Sequence, residues 1–324
     1  MIPKHINDWL IIIEQMKNDN TYKLAWGRAI IECVIFDDYK IVDDKAIISF
    51  DSISIRMLKY YWNQLFFFRL KQSPYKGKDP VICQHTEKLI EIYKEKTKSS
   101  IPVWFNEAEK YFNKNDEKSL KLILKQISKT LHENVSYRFM NVPSGTIKLY
   151  EYNKKQSLIK IDKENIEHLK EYSVLISKLL NYKWAQLLEK YNFAPKIASK
   201  VNGISEAKLK RNALTKQRDI LLKEFEGKEI RDFYTGNVIN RKDVSIDHVI
   251  PWSFMYSDDI WNLVVTTKKY NSSKSNSIPS NEIIEKLKQR NERLLLLLSD
   301  SELLEMEEAI KNNYVDKFYY ESRI

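Results

Sequence analysis

Cysteine is nearly absent: Cys33 and Cys83 are the only two in 324 residues, far apart and in no C-x-x-C pair. That spacing offers neither a zinc knuckle nor a disulfide framework, so no structural zinc is expected and the fold must be held by packing. Long apolar runs are missing as well. Nothing approaches the roughly 18 residues of a membrane-spanning helix, and the N-terminal run Trp9 to Ile13 is too short for a signal-peptide core. A reducing cytoplasm and no membrane partner are the corresponding expectations. The most apolar block, Leu294 to Leu298, reads as a buried helix face.

Positive charge is abundant. Lysine and arginine number 54 against 44 acidic residues, a formal net charge of +10, and the pI is about 9.2. Such a balance favours an anionic partner such as nucleic acid over a neutral metabolite. Lysine, asparagine and isoleucine are frequent throughout, however, as in any product of an AT-rich genome, so charge alone does not select the partner.

The length exceeds one compact domain and is short for three, which predicts two. The first 130 or so residues carry apolar side chains at three- and four-residue spacing, predicting helices over residues 6–17, 22–36, 53–71, 86–96, 104–112 and 118–131, with Asp51 and Ser52 as N-caps of the third and Ser73-Pro74 as its stop. The period then changes. Thr146 to Tyr152 and Ser157 to Ile161 read as strands joined through the polar Asn153 to Gln156, a small β-hairpin near 146–161. A long amphipathic helix, about Ile166 to Tyr191, follows, with Leu169, Val174, Leu175, Leu179, Leu180, Trp184 and Leu188 as its expected buried stripe. Pro195 and Gly203 place the boundary in 193–205, so residues 1–205 form a mainly helical recognition or partner domain and 206–324 a second domain, opened by a charged helix over 206–225. The whole is an α+β chain.

One block in the helical region has two readings. Arg56 to Lys71 mixes Lys59 and Arg69 with Tyr60, Tyr61, Trp62, Phe66, Phe67 and Phe68, as single-strand binders do. Their helical spacing favours a core.

The chemistry lies between Asp232 and Ser280. A turn at Thr235-Gly236-Asn237, a strand ending near Val249, an irregular loop through Asp259, a strand near Leu263 to Thr267 and a short helix from about Lys268 make a compact hairpin-plus-helix unit. Hydrolysis of a phosphodiester needs a hard cation against the charge building on phosphate and a base for the attacking water. A carboxylate, an amide carbonyl and water suit magnesium, and histidine suits the base near neutral pH. Asp247 and His248 are adjacent on a strand and so start toward opposite faces; only the strand's end lets both serve one site.

The runs Asp247-His248-Val249-Ile250-Pro251-Trp252-Ser253, Trp261-Asn262-Leu263-Val264 and Asn271-Ser272-Ser273-Lys274 resemble, in order and spacing, the motif of HNH endonucleases, closest to the HNH domains of RNA-guided CRISPR effector nucleases and restriction-type enzymes. Tyr234-Thr235-Gly236 before the motif and Lys274 to Ser280 after it extend the likeness, which covers about 50 residues. The resemblance implies a ββα-metal fold in which Asp247 and Asn271 hold one Mg2+, with Mn2+ as an alternative, and His248 activates water. It further implies that Asn262 positions the His248 loop or ring and that Lys274 contacts a phosphate. The cysteine pairs that flank the motif in many members are missing here, and Asn at position 271, in place of His, favours an oxygen-loving ion over zinc. Asp258 and Asp259 read as ordinary loop acids, with contact to the metal as the alternative. The expected role is that of a DNA endonuclease of restriction or anti-phage defence. The alternatives are a mobile-element or phage nicking enzyme and an inert nucleic-acid-binding scaffold. A single site cuts one strand, so a homodimer is an expected partner, and residues 1–205 an expected docking point for another protein.

Overall fold

The computed structural model describes residues 2–73, 79–153, 155–203 and 213–323. The chain divides into two compact units, Met1–Ser99 with Val103–Asn192 and Ile197–Ala207, and Ser100–Pro102 with Phe193–Lys196 and Lys208–Ile324. The architecture is α+β, mostly helical at first with small sheets, then a ββα region, as the residue pattern predicts.

The first unit runs α1 Lys4–Gln15, α2 Tyr22–Ile35, β1 Lys40–Val42, β2 Lys45–Ser49, α3 Phe50–Trp62, α4 Val81–Thr97, α5 Phe105–Asn115, α6 Glu117–Asn134, β3 Asn141–Val142, β4 Gly145–Thr146, β5 Glu151–Asn153, β6 Leu158–Asp162, α7 Lys163–Glu189 and α8 Ile197–Asn202. Its core is aromatic, with Trp9, Trp26, Tyr60, Tyr61, Trp62 and Trp184 fully buried. The Arg56–Lys71 block therefore fills the interior, and Phe66, Phe67 and Phe68 are buried with it. No stacking platform for bases is presented there.

Several local expectations are corrected. The hairpin near 146–161 is β5 against β6 only, and Thr146 instead pairs with Asn141 in a separate two-stranded ribbon. The β5–β6 pair joins β1 and β2 in a four-stranded sheet of order β1-β2-β6-β5, where Ala46 faces Ile161 and Ile48 faces Ile159. The third helix begins at Phe50, capped by the Ser49 side chain accepting from Ser52 N, and its last turn widens to a π-helix over Asn63–Phe67. The predicted stop at Pro74 and the linker residue Lys154 lie outside the described residues.

In α7 the buried stripe is Ile166, Leu169, Ser173, Ile176, Leu180, Trp184 and Leu188. Val174 and Leu175 are 63% and 50% exposed. Only one phase of a 3.6-residue period can face the core, and packing against α1 and α2 selected the phase containing Ser173 over its more apolar neighbours.

The second unit runs α9 Thr215–Leu222, β7 Val244–His248, α10 Trp252–Met255, β8 Leu263–Thr267, α11 Lys268–Lys274, α12 Asn281–Leu295, α13 Asp300–Lys311 and α14 Tyr314–Ser322. The predicted helix over 206–225 is realised as α9 with one 3-10 turn, Lys223–Phe225; its first part lies outside the described residues. Val249, Ile250, Phe254, Trp261, Leu263 and Leu287 sit at the centre of the core. Leu294 is buried, but α12 stops at Leu295 and Leu296 is 83% exposed. The Leu294–Leu298 block is thus a helix end and not a continuous buried face.

Candidate active site

β7 and β8 pair antiparallel in the register Val244↔Thr267 through His248↔Leu263, which sets Asp247 opposite Val264. β7 cannot continue far, because Pro251 has no N–H to offer a ladder. α11 packs across both strands, its start capped by Thr267 Oγ1 accepting from Tyr270 N at 3.1 Å. Strand, strand and helix thereby bring Asp247, His248 and Asn271 to one cavity of about 290 Å³, lined also by Leu214, Trp252 and Asp258. The strand-face constraint on the adjacent Asp247 and His248 is met at the strand's end.

The loop after His248 is held by a side chain acting as backbone. Asn262 Oδ1 accepts from Ile250 N at 2.8 Å and its Nδ2 donates to Ile250 O at 2.9 Å. Asn262 O accepts from Val249 N at 2.9 Å. From the other side α12 grips the same segment. Arg290 Nη2 donates to Leu263 O at 2.5 Å and Asn291 Nδ2 to Trp261 O at 2.9 Å. Burial draws the Arg290 guanidinium down to about 10. Asn262 is buried and touches the loop backbone, and it does not line the cavity.

Asp247 is buried, and its Oδ2 accepts from Tyr234 Oη at 2.5 Å and pairs with Lys274 Nζ at 3.0 Å. Its Oδ1 has no hydrogen bond among the described residues. Asn271 donates through Nδ2 to Ser245 Oγ and to Ile246 O, both at 3.0 Å. With both amide hydrogens committed, the carboxamide's sense is fixed and its carbonyl oxygen is the atom left for a ligand. Among the described residues no three His, Cys, Asp or Glu side chains gather to hold a metal. Asp247 and Asn271 both line the cavity, and a carboxylate with an amide carbonyl is a donor set that suits a hard divalent cation such as magnesium.

Lys274 is placed differently from a surface phosphate ligand. Its side chain is only 8% exposed, and Nζ donates to His248 O at 2.7 Å besides pairing with Asp247. Burial pulls its ammonium below the usual lysine range, against the Asp247 charge, which holds it up. Tyr234 stacks on Tyr270, ring centroids 4.5 Å apart, and burial together with the Asp247 carboxylate pushes its phenol well above the ordinary value. It stays a donor.

Three contributors escaped the residue pattern. Asp232, buried, accepts through Oδ1 from Tyr234 N and Thr235 N and through Oδ2 from Thr266 Oγ1 and Thr267 N, tying the turn at Gly236, φ +74°, to the end of β8. Tyr234 stands in the sequence as the aromatic of the Tyr234-Thr235-Gly236 turn that extends the family likeness, with no role at the site attached to it. Asp258 accepts through Oδ1 from Trp252 Nε1 at 3.1 Å and lies 3.0 Å from His248 Nε2. The one visible signal was the Asp258-Asp259 pair between His248 and Asn262.

This pairing of a strand-end Asp-His with a helix-borne Asn defines the class: residues 232–280 match the HNH endonuclease family and form an HNH endonuclease domain. Residues 10–202 match a second family, described as a domain of unknown function (DUF8808), and the chain belongs to that family. A segment of 68 residues is 38% identical to the CRISPR-associated endonuclease Cas9 of Streptococcus mutans, covering 20% of this chain and 5% of that protein. A 61-residue segment is 38% identical to Cas9 of Listeria innocua, covering 18% of this chain and 5% of the relative. The likeness is thus confined to the HNH region, and the rest of those proteins has no counterpart in the match. No solved structure matches the chain.

Among the described residues no helix is long and apolar enough to cross a membrane.

Proposed function

We propose that the protein is a magnesium-dependent endonuclease that hydrolyses DNA, acting in restriction or anti-phage defence. The observation that carries this reading is the convergence of Asp247, His248 and Asn271 on one cavity. Asp247 Oδ1 and Asn271 Oδ1 would hold one Mg2+, which when bound supplies positive charge against the phosphate and the leaving oxygen. Mn2+ suits the same oxygens.

His248 is the base. Its ring takes a proton from water as the water oxygen bonds to phosphorus and the bond to the 3′ oxygen breaks, leaving a 5′-phosphate and, once solvent returns a proton, a 3′-hydroxyl. Asn262 keeps the His248 loop at its place behind the ring. Lys274 anchors Asp247 and the His248 carbonyl with two of its three N–H groups, and the third is free to reach a phosphate oxygen. Residues 1–205 serve as the recognition or partner domain of a nuclease whose second domain is 206–324, and a homodimer would place two such sites on the two strands.

Incubating supercoiled plasmid and modified phage DNA with the full chain tests this. The expected result is nicking with magnesium, none with chelator, and a loss of about 1,000-fold or more in His248→Ala, a general base being worth 10²–10⁴. Equal nicking by His248→Ala and parent would overturn the reading.

A further inference from the structure

Asp258 sits on the loop between His248 and Asn262, beyond the left-handed residue Tyr256, φ +55°, that ends α10. It is partly buried and lines the same cavity as Asp247 and Asn271. One of its oxygens, Oδ1, faces two nitrogens at once, Trp252 Nε1 at 3.1 Å and His248 Nε2 at 3.0 Å. The indole nitrogen can only donate. A carboxylate can only accept, so the imidazole nitrogen that faces the same oxygen must carry its proton there. A neutral imidazole has a single N–H. Placing it on Nε2 leaves Nδ1 with the lone pair, and Nδ1 makes no hydrogen bond among the described residues.

We propose that Asp258 is a positioning residue of the hydrolysis: it holds His248 as the Nε2–H tautomer, ring orientation fixed, so that Nδ1 is the atom that accepts the water proton. This rests on His248 being the base. When Nδ1 takes the proton, the ring becomes an imidazolium whose Nε2–H already points at a carboxylate, so the developing charge is met without any rearrangement. Trp252 contributes by loading the same oxygen from the other side, which keeps the carboxylate from turning away from the ring. Asp258 touches neither substrate nor cation in this scheme and acts only through His248.

The test uses the full chain with ¹⁵N-labelled histidine. There are five histidines, and His248→Gln assigns the ring of interest. The parent protein, without metal, is expected to show a His248 N–H that couples to both ring carbon-bound protons, which marks Nε2, and exchanges slowly with solvent. In Asp258→Ala that resonance is lost to exchange, kcat falls by about 10- to 100-fold, the range for removing an orienting partner, and KM stays within about 3-fold. In Asp258→Asn the amide oxygen can still accept from both nitrogens, so the Nε2–H resonance persists and part of the rate returns. A proton found on Nδ1 in the parent would overturn the proposal, as would an Asp258→Ala protein that keeps both the slow N–H and the parental kcat. Cleavage that survives His248→Ala with the slow N–H present would instead overturn the functional reading beneath it, so the two failures are distinguishable.

Discussion

Asn262 and Ile250 exchange two hydrogen bonds, Ile250 N to Asn262 Oδ1 at 2.8 Å and Asn262 Nδ2 to Ile250 O at 2.9 Å. A side-chain amide thus reproduces a rung of antiparallel ladder just beyond the point where β7 stops pairing. Both partners are buried, so deleting the amide leaves a peptide N–H and a carbonyl without water or protein to satisfy them. Asn262→Ala is expected to cost about 2–6 kcal/mol of stability, at 1–3 kcal/mol for each of the two orphaned groups, and to lower cleavage along with it. Urea unfolding reads the first and plasmid nicking the second; unchanged stability would mean that the clamp does not hold the loop.

Asn271 separates a ligand role from a structural one. In Asn271→Ala the bonds to Ser245 and Ile246 are lost together with the carbonyl that faces the cavity. The Mg2+ concentration for half-maximal cleavage is expected to rise about 10-fold or more, judged against the 10- to 100-fold cost of losing even an outer-shell partner. Titration calorimetry should show the same weakening without DNA present. A magnesium requirement identical to the parent's would remove Asn271 from the ligand set.

The first unit carries a pH dependence of its own. Trp9 Nε1 donates to His5 Nε2 at 3.2 Å, which requires that nitrogen to be unprotonated. Burial first, and then His168, lower the His5 imidazole to about 4. Unfolding therefore takes up a proton between the unfolded value near 6.5 and the folded value near 4. The contribution of His5 is complete above about pH 6.5 and is lost as pH falls through that window, by at most ~1.4 kcal/mol per pH unit. Urea unfolding at about pH 7 and about pH 5 should show a smaller difference between the two conditions in His5→Gln than in the parent. An equal difference in both would show that His5 does not set the acid limb.

Gly27 lies inside α2, where alanine would ordinarily favour the helix by about 1 kcal/mol. Here a Cβ would lie 2.9 Å from Phe139 Cζ and 3.2 Å from Leu180 Cδ2. Phe139 is fully buried and packs on Trp9, which limits how far its ring can give way. Gly27→Ala is expected to destabilise by about 1–2 kcal/mol, overpacking of 1–3 kcal/mol outweighing the propensity gain. A thermal melt that shifts upward would show that the ring can move aside.

Legibility in the sequence followed the range of the forces involved. The strand expected to end near Val249, the strand near Leu263 to Thr267 and the helix from about Lys268 appear within a residue of those places, because strand and helix preferences act within a few residues. The Asp-His and Asn pattern was visible for the same reason. In α7, by contrast, the residue pattern placed Leu169, Leu180, Trp184 and Leu188 on the buried stripe correctly but counted Val174 and Leu175 with them, which lie in solvent. β1 and β2 were unmarked, since three- and five-residue strands carry too little alternation to be seen until β6 supplies a partner.

What residue order determined by itself was the chemistry within reach: a carboxylate and a carboxamide, an imidazole beside them, and an HNH motif of local, short-range elements. Tertiary structure alone decided how those groups are addressed. It turned the Lys274 ammonium inward to Asp247, drew the Tyr234 hydroxyl to the same oxygen, and set a loop aspartate against the outer nitrogen of His248. Each of these contacts joins segments ten or more residues apart, and where two such segments meet depends on the packing of a whole core, to which periodicity and turn preference are blind.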